Sequence, residues 1–244
     1  RKDGSAVIAK MASHPINLFD TKSYEKAASA YNSLVFLGHN RAATKGKVND
    51  VNAHPYQYGH IVGAHNGTLT AESWKDLNEC LGYETDVDSM AIFACIEKVG
   101  IEETVKMLQG AWALVWFDLH QGTLSFLRNK ERPFYFAHDD KFSRVFWASE
   151  WPMIQAAVAM DSSAVNYKLY SDNEGYIYFP TEVDCLYQHD IDKLYNGGYE
   201  SVPDVRVKEL KGKEPAPVIT NYYGQGGSPF REKTGGTTQT TQTT

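Results

Sequence analysis

Apolar positions run along the chain in two rhythms, one with the period of a helix and one with the period of a strand, and the rhythms occur in blocks. Residues 6–11 (AVIAKM) alternate and predict a strand, whereas 22–33 carries Ala27, Ala28, Ala30 and Tyr31 at helical spacing. Residues 34–37 (LVFL) form a short apolar run whose branched and aromatic content predicts a buried strand. From 40 to 59 Gly, Asn, Asp, His and Pro dominate, no period survives, and a loop is expected. Residues 60–65 predict another strand, closed by Asn66-Gly67, a dipeptide that favours a turn with positive φ.

Helices are expected over 71–81, 86–99 and 101–109. In the second, Thr85 can accept the backbone N–H of Asp88 as in a capping box, and Val87, Met90, Ala91, Ala94 and Cys95 form one apolar face. Strand-like runs follow at 111–118, 123–129, 133–138 and 144–149, joined by HQG, NKER and DDKFS, which reads as an antiparallel meander. A helix over 151–159 and strands near 175–179 and 183–189 complete the folded part. Strands clustered apart from helices, with links too short for crossovers, indicate an α+β layered sandwich and disfavour a doubly wound parallel sheet. The 244 residues fit one large domain, expected over 1–200, followed by a flexible tail over 201–244 that ends GGTTQTTQTT.

Charge and cysteine usage exclude several classes of function. A formal charge of -6 leaves no excess of Lys and Arg to neutralise phosphates, and no basic stripe interleaves with aromatics, so nucleic acid is not an expected partner. The longest uncharged apolar run, 111–117, is far short of the ~20 residues that span a bilayer, and no signal-peptide pattern opens the chain. A cytoplasmic protein away from the membrane is expected. Cys80, Cys95 and Cys185 are an odd number at wide spacings, which predicts reduced thiols and neither a disulfide framework nor a zinc cluster. His39, His54, His60 and His65 lie at spacings of 15, 6 and 5, which fit no usual metal-ligand motif.

Three polar clusters stand at predicted element ends, where side chains are free to converge on a pocket: GHNRAAT at 38–44, AHNGT at 64–68, and ETDVD at 84–88. Singly, each has an ordinary structural explanation as a turn, a surface charge or a helix cap. In this order, followed by a strand-rich segment, they resemble the class II glutamine amidotransferases, whose catalytic domain belongs to the N-terminal-nucleophile hydrolase superfamily. GHNRAATKG resembles that family's H-[TN]-R-x-A-T-x-G segment, AHPY its A-H-P motif, AHNGTL its H-N-G motif, and ETDVDSMAIF its E-T-D-[ST]-E helix start. LQGAWALVWFD, LRNKERPFYFA and VFWASE are similar to three strands that follow, so the resemblance covers roughly residues 1–160.

The resemblance implies a four-layer αββα sandwich of two antiparallel sheets and a glutaminase that releases ammonia from glutamine without a cofactor. It implies that Arg41 holds the α-carboxylate of glutamine in a bidentate fork and that Asp86 takes the α-ammonium. Asn66 through its side chain and Gly67 through its backbone N–H would form the oxyanion hole, with Thr44 and His65 completing the substrate pocket. The base in that family is the α-amino group of the nucleophile itself, so the histidines are expected to be structural hydrogen-bonders.

The family's nucleophile is a cysteine at the first residue of the mature chain, whereas this sequence opens Arg1-Lys2-Asp3-Gly4-Ser5-Ala6. That stretch resembles the later R-x-x-D-[GS]-x-G segment, with Ala6 where Gly is usual. An upstream segment carrying the cysteine is therefore expected, and without it the chain is expected to be inert. The expected partners are L-glutamine, a separate ammonia-acceptor synthase subunit, and possible copies of the chain in a homo-oligomer or larger assembly. The alternatives are an inert family member with an assembly role and an N-terminal-nucleophile hydrolase acting on another amide.

Overall fold

The computed structural model describes residues 3–28, 33–138, 144–160, 177–191, 193 and 205–213. Its elements in chain order are α1 (Pro15–Phe19), α2 (Lys22–Ala28), β1 (Tyr56–Tyr58), β2 (Ile61–Leu69), α3 (Ala71–Leu81), α4 (Asp88–Val99) and α5 (Ile101–Val105). They continue with β3 (Gly110–Asp118), β4 (Thr123–Arg128), β5 (Tyr135–His138), β6 (Val145–Ala148), α6 (Trp151–Met160), β7 (Ile177–Pro180), β8 (Cys185–Asp190) and β9 (Val205–Glu209).

The strands form two antiparallel sheets, one ordered β1-β2-β3-β4-β8-β9 and the other β6-β5-β7. Alternation along each strand then decides the layers, because successive side chains point to opposite faces. Trp112, Leu114 and Trp116 of β3 join Phe93, Ile92, Leu77 and Leu81 in a core between the large sheet and α3–α5. Ala113 and Val115 of the same strand join Phe126, Phe134, Phe136 and Trp147 between the two sheets. Ala137 and Phe146, on the far face of the small sheet, pack on Ile154 and Trp151 of α6. The result is helix, sheet, sheet, helix, four layers with two buried faces on each sheet.

Several local expectations change. The four runs expected as one meander split into two hairpins in different sheets, since β3 and β4 pair in one and β5 and β6 in the other. Asn66-Gly67 is not a turn: β2 runs through it to Leu69, with Asn66 opposite Ala113 and Gly67 opposite Trp112. A full-length partner strand outweighs the dipeptide's local preference. The third helix ends at Val105, short of 109, and the expected loop 40–59 includes β1. Residues 6–11 and 34–37 form no ladder among the described residues. Strand β9 lies past residue 200 and pairs with β8, and Lys213 reaches Glu72 and Asp76 of α3, each at 3.1 Å. Residues 214–244 of the expected tail lie outside the described residues. Among the described residues no helix is long and apolar enough to cross a membrane.

Candidate functional site

The site is built on β2. Its inner positions Ile61, His65 and Leu69 are buried, whereas Asn66 at the same end is exposed. Gly67 is required by close packing: at φ +150° an added Cβ would stand 2.0 Å from the Ala111 carbonyl oxygen and 2.8 Å from His65 Nε2. Only a residue without a side chain lets β2 approach β3 this closely.

The start of α4 is fastened to this strand. The Asp88 carboxylate accepts the Leu69 N–H at 2.9 Å on one oxygen and the Ser89 N–H at 2.9 Å on the other. Ser89 Oγ in turn hydrogen-bonds His65 Nδ1 at 2.9 Å. The capping-box expectation fails here, because Val87 is the N-cap and makes no side-chain cap bond. Thr85 instead accepts the indole N–H of Trp74 at 2.8 Å and donates toward Asn78 Oδ1 at 3.0 Å and the Val87 carbonyl at 3.1 Å. A hydroxyl two residues too early for the cap is captured by α3.

The loop carrying Arg41 and Thr44 closes over the same end. Arg41 donates to the Lys47 carbonyl at 3.5 Å and to the Lys45 carbonyl, curling the loop around its guanidinium. The Thr44 and Thr68 hydroxyls share a 2.9 Å bond, and Lys45 Nζ donates to the Leu69 carbonyl at 2.6 Å. Gly46, at φ +72°, abuts the residues before α4: a Cβ there would lie 2.4 Å from Val87 Cγ1 and 2.7 Å from the Asp86 carbonyl oxygen. Loop 41–47, strand end 65–69 and segment 86–89 thus meet in one place, and Asp86 itself is exposed beside them.

Behind the loop lies a group of imidazoles, buried at His54 and His65 and half-buried at His39. The rings of His39 and His54 are 4.0 Å apart, and His54 packs edge-on against Tyr56 at 4.7 Å. Burial and then the mutual repulsion of neighbouring cations lower His39 to about 4 and His54 to about 2. Burial likewise lowers His65 to about 4, against the opposing pull of Asp88. All three are neutral at pH 7. The expectation that these residues hydrogen-bond holds for His65, whereas His39 Nδ1 has no hydrogen-bond partner among the described residues. It fails for His54, whose two ring nitrogens have no hydrogen-bond partner among the described residues and which is held by ring contacts.

The three thiols lie elsewhere. Cys95 is buried in α4 with its thiol toward the Leu77 carbonyl and is pushed up to about 12, by burial first and then by Cys80. Cys185 sits on β8 beside Glu182, and its thiol is raised by burial and by that carboxylate. Next to the site, a cavity of about 540 Å³ runs between residues 5–9, residues 33–40 and α1, and reaches His39, His54 and Pro55. Among the described residues, no cluster of three or more His, Cys, Asp or Glu could hold a metal.

Sequence reasoning missed Asp88, Ser89, Lys45 and Trp74. Asp88 stands in the ETDVD cluster, and the signal for its role was there: a carboxylate at the first position of a helix, where backbone N–H groups are unpaired. Lys45 and Trp74 carry no local signal, being joined only by the fold.

The family described as "Glutamine amidotransferase domain" matches residues 18–211. Glutamine–fructose-6-phosphate aminotransferase of Vibrio vulnificus is 33% identical over 94 residues, 34% of this chain and 15% of its own length. The Sulfolobus acidocaldarius protein of the same name is 35% identical over 107 residues, 37% and 18% of the two chains. The chain therefore spans less than a fifth of the length of these curated relatives. Among solved structures, glutamine phosphoribosylpyrophosphate amidotransferase of B. subtilis aligns over 70% of this chain and 34% of its own, at 17% identity and TM-score 0.47. A glutamine aminotransferase class-II domain protein of Silicibacter pomeroyi aligns over 67% and 73% of the two chains, at 12% identity and TM-score 0.42.

Proposed function

Because the chain belongs to the glutamine amidotransferase domain family, we propose that it is a glutamine-binding glutaminase domain, which releases ammonia for use by an acceptor synthase domain or subunit. The supporting observation is the meeting of three segments: Gly46 allows the Arg41 loop to lie against Asp86 and Val87 at the end of β2 that carries Asn66 and Gly67. A cation, an anion and amide donors then share one end of the sheet. Free glutamine offers their complements in its carboxylate, ammonium and carboxamide.

Arg41 has five N–H donors, of which the loop carbonyls take only part, and the remainder address the α-carboxylate. Asp86, exposed, takes the α-ammonium. Thr44, paired with Thr68, borders the pocket, and His65 fixes the strand through Ser89. A thiolate attacks the carboxamide carbon, and the negative charge that develops on oxygen is met by the Asn66 side chain and the Gly67 N–H. The proton given up by the thiol passes to the departing nitrogen, so that collapse expels ammonia and leaves a glutamyl thioester, and water then cleaves the thioester to glutamate and the free thiol.

Cys80, Cys95 and Cys185 are unsuited to that attack by position, and the thiols of Cys95 and Cys185 also by raised proton affinity. In this reading none of the three supplies the attacking thiolate.

Two experiments test the assignment. Calorimetry on the 244-residue chain should show glutamine binding that Arg41→Ala weakens. With a cysteine-led N-terminal strand joined ahead of residue 1, the chain should release glutamate from glutamine, and Asn66→Ala should slow the release by about 10²–10³. Release no faster than that variant's background would leave the inert, assembly-type alternative in its place.

A further inference from the structure

Two of the proposed glutamine-binding residues are joined by an unbroken series of contacts through a side chain that neither motif contains. Arg41 donates to the Lys45 carbonyl. The Lys45 ammonium lies 5.3 Å from the centroid of the Trp74 ring, and the Trp74 indole N–H donates to Thr85 Oγ1 at 2.8 Å. Thr85 is the residue before Asp86. The face of one indole therefore holds the loop of Arg41 while its edge holds the segment of Asp86.

The indole itself stands on a fixed support. Trp74 is in the first turn of α3, whose N-cap Thr70 accepts the Ser73 N–H at 3.2 Å. Ser73 Oγ donates to the Met107 carbonyl at 2.7 Å, and Leu77 and Leu81 are buried in the core one and two turns on. The walls it touches are loops, which a rigid element must position. On the far side, Thr85 also donates toward Asn78, and Asn78 Nδ2 donates to Glu84 at 2.7 Å, so α3 holds both Glu84 and Thr85 ahead of Asp86.

We propose that Trp74 is a positioning residue that sets the separation of Arg41 from Asp86 and thereby the preference for an amide bearing an α-ammonium. The proposal rests on the glutamine-binding assignment above. It makes the site selective by geometry: the carboxylate fork stays with Arg41, and the indole, beside the Gly46 contact with Val87, aims Asp86 at the ammonium. A cation over an indole face and a single N–H···O bond are each modest contacts, but both are lost together when the ring is removed.

The test is calorimetry of the 244-residue chain with L-glutamine and with glutaramate, which is glutamine without its α-ammonium, using competition for the weaker ligand. Trp74→Ala should weaken glutamine about tenfold while changing glutaramate by less than about twofold, so that the ratio of the two dissociation constants collapses. Trp74→Phe keeps a ring face for Lys45 and loses the N–H, and Thr85→Val loses the acceptor at nearly constant volume. These two should agree with each other at an intermediate ratio, and they carry the test if Trp74→Ala does not fold. Unchanged ratios in folded variants, or equal weakening of both ligands, overturn the positioning role while leaving glutamine binding intact. Absence of glutamine binding by the unaltered chain removes the glutaminase assignment and this role with it.

Discussion

Asp88 holds the main chain of Leu69 through its carboxylate, which accepts that N–H at 2.9 Å and so joins the start of α4 to the last residue of β2. The other oxygen accepts the Ser89 N–H, so both are engaged in a buried setting. Asp88→Asn keeps the volume but presents one acceptor oxygen in place of two. It should cost about 1.5–3 kcal/mol of stability, read from urea unfolding, because one buried N–H loses a charged partner. Unchanged stability would mean that this bond does not fasten the helix to the strand.

Gly67 is packed against the Ala111 carbonyl so closely that a methyl group has no room, and its φ of +150° is one that residues with a side chain rarely adopt. Gly67→Ala should destabilise the fold by about 3 kcal/mol or more. Glutamine binding should fall with it, since β2 must separate from β3 to admit the Cβ. A variant with wild-type unfolding midpoint would contradict the register of Gly67 against Trp112.

The buried histidines make stability depend on pH in a definite direction. Their folded proton affinities lie below the unfolded value of about 6.5, with His39 and His65 at about 4 and His54 at about 2. Above about pH 6.5 they are neutral in both states and their contribution is complete. As pH falls below that, the unfolded chain takes up protons that the folded chain refuses. Stability should drop by up to about 1.4 kcal/mol per pH unit for each histidine, down to about pH 4 for His39 and His65 and further for His54. Urea midpoints measured from pH 7.5 to 4.5 should show a shallower fall in His54→Gln than in the unaltered chain, and parallel curves would refute the assignment.

Thiol accessibility gives an independent check on the cysteines. Cys95 is buried and its thiol is held up at about 12, while that of Cys185 is raised by burial and by the Glu182 carboxylate. With Ellman's reagent at pH 8, Cys95 should stay unreacted in the native chain and become reactive in urea. Rapid labelling of all three thiols without denaturant would show that none is held as described.

Some of this architecture could be read directly from the residues. The 3.6 period of Leu77 and Leu81 and the apolar face of Ala91, Ala94 and Cys95 give α3 and α4 nearly to the residue. Alternation in β3 and β4 gives their hairpin. The division of the four-strand run was not legible, because Phe136 and Ala137 are apolar on both faces and local pattern does not say which neighbour covers each. In the candidate site, the residues of the three motifs were visible, whereas the Gly46 contact with Val87 and the Lys45–Trp74–Thr85 series join positions far apart in sequence.

By itself the sequence determined α3, α4 and the runs that become β3 to β6, which faces are apolar, and which polar clusters stand at their ends. These follow from short-range sterics and from the spacing of side chains along one element. Only the tertiary structure decided that β2 continues through Asn66 and Gly67, that Thr85 serves Trp74 and not the helix cap, and that Asp88 closes on Leu69. A hydrogen-bonding group takes the best partner within reach, and what is within reach is set by the packing of the sheets and helices around it.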